Sequence, residues 1–185
     1  MSELLDCNII CSVLLCILNG GMDMTSYRKA TLEDLERIWA YNMAMNPDEP
    51  RMQRWKESYI SRNAEGRAAT YVAVINGEPA GEVTLDYHAE AYGNPSLRPK
   101  LADGKITAYV TALRIRKEFE DNGYASALMR FMEDSAKAMG YHRVTIGVGA
   151  EDTRNLGIYL HWGYDKFIAA EEDCGELVLF YAKEL

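Results

Sequence analysis

The stretch Ile106-Thr-Ala-Tyr-Val-Thr-Ala-Leu-Arg-Ile115-Arg-Lys-Glu-Phe-Glu120-Asp-Asn-Gly-Tyr-Ala-Ser126 decides the fold of this chain. Ile106, Ala108 and Val110 alternate on one parity, while Leu113 and Ile115 continue on the other. Side chains along a strand point to opposite faces with a period of two. A change of parity therefore requires one extra residue, a bulge, which the spacing places near Thr111-Ala112. A bulge splays a strand from its neighbour and leaves backbone groups that a ligand can take. Behind it, Gly123 opens a helix whose apolar stripe is Leu128, Phe131, Met132, Ala136 and Met139, and Gly140 ends that helix.

Working outward, Val144, Ile146 and Val148 alternate as the next strand. Asp152 or Thr153 caps a short helix through His161 that Gly163 ends, and strands over 164–169 and 176–182 follow. On the other side, Tyr27 to Ala30 is a short strand. Thr31, with Asp34 three residues later, makes a capping box for a helix carrying Leu35, Ile38, Trp39 and Met43 on one face, which ends near Asn46-Pro47. A second helix over 51–62 has Met52, Trp55 and Tyr59 on one side. Strands over 69–75 and 79–87 flank Asn76-Gly77, a strong signal for a tight hairpin. Residues 88–104, with two Gly, two Pro and no period, are expected to form a long loop. A strand–helix–strand crossover within a run of hairpins predicts an α/β (α+β) fold. Its sheet would be mixed and mostly antiparallel, of about six to seven strands, with a central parallel pair and helices on both faces.

The chain has 185 residues, 48% of them hydrophobic, enough for one globular domain. Ile9 to Leu18 is apolar but too short to span a membrane as a helix, and Glu3 and Asp6 precede it where a secretory signal would be basic. Residues 1–22 are accordingly set apart as an N-terminal appendage, either a packing helix or an extension upstream of the natural start, and 23–185 as the domain. A net charge of −8 speaks against nucleic acid as a partner. Cys7, Cys11, Cys16 and Cys174 have neither disulfide-framework nor zinc-ligand spacing, so no metal is expected, and a reduced, cytoplasmic location is the simpler reading.

The loop before Gly123 leads from a bulged strand into a helix N-terminus. There, free N–H groups and the helix dipole favour an anion. One glycine before a helix is also what any strand–helix turn contains. Two motifs in order say more. Glu120-Asp121-Asn122-Gly123-Tyr124-Ala125 and the later Asn155, Tyr159, Gly163 and Tyr164 together resemble the GNAT superfamily of acyltransferases, whose first loop runs Q/R-x-x-G-x-G/A. Glu120 departs from that pattern at its first position.

The resemblance implies acetyl-CoA as co-substrate and a small-molecule or peptide amine as acceptor. It implies that the backbone of Leu113 and Ile115, with Arg114 between them, pairs with the pantetheine arm. Asp121, Asn122, Gly123, Tyr124, Ala125 and Ser126 would wrap the pyrophosphate, with Asn155 holding the pantetheine and Tyr159 near the thioester sulfur as general acid. For the general base, Asp86, His88 and Glu90 are available at one strand end, with Asp86 first. A homodimer is common in the family. A second reading stays open, a GNAT-like module that holds acyl-CoA as a sensor and transfers poorly; the acidic loop at Glu118 to Asp121 motivates it.

Overall fold

A computed structural model describes residues 24–185 except Ala91 and Cys174. The appendage assigned to residues 1–22, and the four cysteines, lie outside the described residues.

The elements run β1 (Thr25–Lys29), α1 (Leu32–Met45), α2 (Met52–Ala64), β2 (Ala68–Ile75), β3 (Glu78–Asp86), α3 (Arg98–Leu101), β4 (Thr107–Ile115), a 3-10 turn (Lys117–Phe119), α4 (Tyr124–Ala138), β5 (Arg143–Gly149), α5 (Thr153–His161), β6 (Lys166–Asp173) and β7 (Glu176–Glu184). The seven strands form one sheet in the order β1-β2-β3-β4-β5-β7-β6. Only β4 and β5 are parallel, and α4 is the crossover between them.

Local chemistry explains the first half. Thr31 caps α1 by accepting from the Asp34 amide at 3.2 Å, and Asp34 reaches back to the Thr31 amide at 2.7 Å, completing the capping box. Asn76 (φ 52) and Gly77 (φ 83) both take the left-handed conformation that a two-residue hairpin turn needs. Helices cover both faces of β2, so all eight of its residues are buried rather than alternate ones. Tyr71 and Ala73 pack with Val83, Leu85, Ala108 and Val110 against Leu128, Met129, Met132 and Ala136 of α4. Val72 and Val74 pack against Ile38 of α1 on the opposite face.

Three expectations need correction. Residues 88–104 are not structureless. Leu97 and Leu101, four residues apart, bury one face of the single turn α3 in a small cluster with Phe180. Met139 is 46% exposed, because it falls past the last turn of α4, beyond the edge of the apolar stripe. Tyr164 precedes β6 rather than beginning it; it is fully buried and its hydroxyl donates to Glu133 at 2.9 Å.

The bulge stands where the parity break put it. Thr84 pairs with Thr111 and Glu82 with Arg114, so Ala112 and Leu113 together oppose Val83. Ala112 itself has φ 53, a left-handed conformation costing roughly 1–2 kcal/mol for a residue with a Cβ. The β4–β5 ladder runs from Thr107 and Arg143 to Val110 and Ile146 and goes no further. Beyond it the two strands part, and that opening positions the site.

Candidate active site

A cleft of about 390 Å³ lies at the splay, walled by β4, the loop before α4, and α5. Leu113, Arg114 and Ile115 line it from the strand. The loop turns sharply because Asp121 (φ 60) and Gly123 (φ 78) both adopt left-handed backbone. No atom lies within 4 Å of where a Cβ on Gly123 would project, so this glycine is needed for its φ rather than for space. The first backbone hydrogen bond of α4 runs from the Ala127 amide to Gly123 O at 3.1 Å. The amides of Ala125 and Ser126 therefore fall outside the helical ladder, at the positive end of the helix dipole. Asp121, Gly123, Tyr124, Ala125 and Ser126 all line the cleft.

From the facing wall, α5 contributes Asn155, Ile158 and Tyr159. Asp152 caps α5 by accepting from the Asn155 amide at 3.1 Å, and the Asn155 side chain also donates to Asp152, at 2.6 Å. Asn155 thus borders the cleft with its amide group turned to its own helix cap. The Tyr159 ring packs against Trp162 and Tyr164. Burial, reinforced by the nearby Asp152 carboxylate, pushes its phenol up to about 12, so the hydroxyl keeps its proton.

Ten of the residues singled out from sequence meet in this one cavity: Leu113, Arg114, Ile115, Asp121, Gly123, Tyr124, Ala125, Ser126, Asn155 and Tyr159. Two do not line it. Asn122 folds back on the loop, its side chain donating to Glu120 O at 2.8 Å. Asp86 lies on the α1–α2 side of the sheet in an ion pair with Arg62, the two side chains 3% and 5% exposed. The Thr111 hydroxyl donates to Asp86 at 3.4 Å. Burial pushes the Asp86 carboxyl up, and Arg62 works against that shift.

Arg154 was not foreseen. It lines the cleft from the first turn of α5, with Nη2 2.9 Å from Asp121 Oδ1 and Nη1 4.0 Å from Glu120 Oε2. A cation in the first turn of a helix opposes the dipole, and that misplacement is the signal in the sequence that marks it. Glu82 was also missed. It is a charged residue within a strand buried on both faces, which calls for a specific partner.

The family model described as acetyltransferase (GNAT) family matches residues 30–164, and the chain belongs to that family. The fold, with its one parallel pair, is that of a GNAT acetyltransferase, an enzyme class of acyl transfer. Among solved structures, the chain is similar to an N-acetyltransferase from Staphylococcus aureus Mu50, at 17% identity and a TM-score of 0.63, covering 86% of this chain and 98% of that one. It is also similar to the PaiA N-acetyltransferase of Thermoplasma acidophilum in complex with coenzyme A, at 17% identity and TM-score 0.58, covering 87% and 99%. The YncA protein of Salmonella typhimurium, solved with acetyl-CoA, shares 14% identity at TM-score 0.62 over 87% and 94%. No protein of curated function matches the sequence. Among the described residues no helix is long and apolar enough to cross a membrane.

Proposed function

We propose that this chain is an N-acetyltransferase that moves the acetyl group of acetyl-CoA to a primary amine by direct attack on the thioester. The observation that carries this reading is the single cleft joining three parts: the bulged strand at Leu113–Ile115, the amides at the start of α4, and Tyr159. The pyrophosphate fits the amides of Ala125 and Ser126, and the pantetheine amides fit the unpaired edge of β4. The amine nitrogen attacks the thioester carbonyl, forming a C–N bond, and the tetrahedral oxyanion takes a hydrogen bond from a β4 amide freed by the bulge. The C–S bond then breaks and the sulfur leaves as thiolate.

Tyr159 donates to that sulfur. A thiol ionises near 8.5 and this phenol near 12, so a strong hydrogen bond is favoured over complete proton transfer. The surplus proton of the amine passes to water or, through the Thr111 hydroxyl, to Asp86. That carboxylate is closed off by Arg62 and has no direct path.

A second reading, an acyl-CoA sensor with little turnover, draws on the Glu120 and Asp121 carboxylates beside the phosphate loop. CoA release from acetyl-CoA across a panel of amines separates the two. The transferase reading expects turnover that falls about a hundredfold in Tyr159→Phe, with acetyl-CoA affinity retained. Tight acetyl-CoA binding with no acetylated product from any amine favours the sensor.

A further inference from the structure

A second cleft, of about 190 Å³, lies between α1 and the β3–β4 edge. Arg114, Ile115 and Glu120 wall both clefts, so the two cavities flank the same end of β4. The inner wall carries Glu82, whose side chain is 1% exposed. Its Oε1 accepts from Asn42 Nδ2 at 3.0 Å and from Arg114 Nη1 at 2.8 Å. Its Oε2 is buried and has no hydrogen-bond partner. A carboxylate oxygen left bare inside a protein is costly, and a ligand N–H delivered to it removes that cost.

The outer edge carries the cations Arg116 and Lys117 beside the carboxylates of Glu118 and Glu120, and the Tyr41 hydroxyl donates to Glu118 at 3.4 Å. The Arg116 guanidinium lies 4.5 Å from the Tyr41 ring, which holds it at the rim without neutralising it. Lys117 is exposed, and among the described residues neither Arg116 nor Lys117 forms an ion pair with a carboxylate. Glu120, also on this edge, leans towards Arg154 instead. The cleft therefore presents an unsatisfied acceptor inside and, at its rim, two cations that no ion pair holds.

We infer that this second cleft receives the acceptor, and that the acceptor is a small molecule bearing both an ammonium and an anionic group, in the simplest case a free amino acid. The ammonium donates to Glu82 Oε2, and the anionic group meets Arg116 and Lys117. A purely cationic amine must pass two unpaired cations, and a purely anionic molecule meets a buried carboxylate. The volume is below the ~300–1,000 Å³ of sites for drug-sized ligands, which suits one amino acid. Arg114, 40% exposed and 5.4 Å from the Trp39 ring, holds Glu82 Oε1 at the mouth and leaves Oε2 to the ammonium. This assignment rests on the transferase reading above and gives it a substrate class.

The test uses the full chain with acetyl-CoA, offering each proteinogenic amino acid, its carboxamide and its deaminated acid. Binding is measured by calorimetry with CoA present, and transfer by CoA release. At least one amino acid is expected to bind ten times or more tighter than its carboxamide and its deaminated acid, and to be acetylated with a correspondingly higher kcat/KM. Glu82→Gln should lower kcat/KM for that amino acid tenfold or more. Lys117→Glu, at an exposed position where folding is not at stake, should erase its advantage over the carboxamide. Carboxamides bound and acetylated as well as the free amino acids would overturn the inference and leave the transferase intact. So would a preference untouched by both substitutions. Binding of acetyl-CoA without binding of any amino acid also overturns it, and failure to bind acetyl-CoA brings down both readings.

Discussion

Arg154 of α5 reaches across the mouth of the main cleft to Asp121 of the loop before α4, with 2.9 Å between Nη2 and Oδ1. Asp121 belongs to the first motif, and Arg154 immediately precedes Asn155 of the second. The pair is exposed, 66% and 84%, so as an ion pair it contributes little to stability. Its significance is electrostatic. Glu120 stands where the family's loop has Gln or Arg, and Arg154 supplies a cation on the facing wall.

Arg154→Ala is therefore expected to weaken acetyl-CoA binding about tenfold at low salt, the order of one screened charge-assisted contact. Asp121→Asn should tighten binding, because it removes a competitor for the guanidinium. Calorimetry at two ionic strengths checks both, and the Arg154 effect should shrink as salt rises. Affinity for S-acetylpantetheine, which lacks the diphosphate, should not respond to the change; an equal loss there would show that Arg154 acts through the fold.

Two glycines at the site should fail for different reasons when changed to alanine. At Gly81 a Cβ would stand 2.2 Å from Ile115 Cδ1 and 3.0 Å from the Arg114 carbonyl oxygen, so the Ile115 side chain must turn away and the β4 backbone give slightly. At Gly123 nothing obstructs a Cβ, and the cost is the left-handed backbone, roughly 1–2 kcal/mol. Gly123→Ala should lower Tm modestly and weaken acetyl-CoA binding, while Gly123→Asn, which tolerates that backbone, recovers part of the loss. Gly81→Ala should destabilise more, with no rescue by Asn. Denaturant unfolding of the Ala and Asn variants at both positions decides between steric and conformational cost.

Asp34 gives the fold an acid-sensitive joint. Burial pushes its carboxyl up, but hydrogen bonds from Arg28 and from the Thr31 backbone and hydroxyl outweigh that and hold it at about 2. A depressed carboxylate contributes stability that is complete above its unfolded value near 3.9 and is lost as pH falls from there towards 2. With Arg28 44% exposed, the contribution is discounted to roughly 1–2 kcal/mol. Asp34→Asn should lose that amount at pH 7 and show a flatter stability profile between pH 5 and pH 2. A profile parallel to the wild type would assign the acid response to other groups.

Much of this was legible in the chain because it is local. The parity break between Val110 and Leu113 was enough to place the bulge, since a period of two leaves no other way to keep both runs facing the core. Thr31 and Asp34 specified a helix start, Asn76-Gly77 a turn, and Gly123 the opening of a second helix, each through the conformational preferences of a few neighbours. Asn155, Tyr159 and Gly163 were legible only through their resemblance to the GNAT superfamily's later segment.

What the sequence could not determine was which distant charges would meet. Asp86 looked like a free carboxylate at a strand end; packing of α2 against the sheet brings Arg62, twenty-four residues earlier, onto it and closes the pair off. Packing of α1 brings Asn42 to one oxygen of Glu82 and leaves the other bare. Arg154 meets Asp121 only because the splay at Ala112 separates β4 from β5 by the width of a cleft. Backbone conformation depends on near neighbours and can be read from them. Burial and ion pairing depend on long-range packing, and that is where the tertiary structure decided the character of the site.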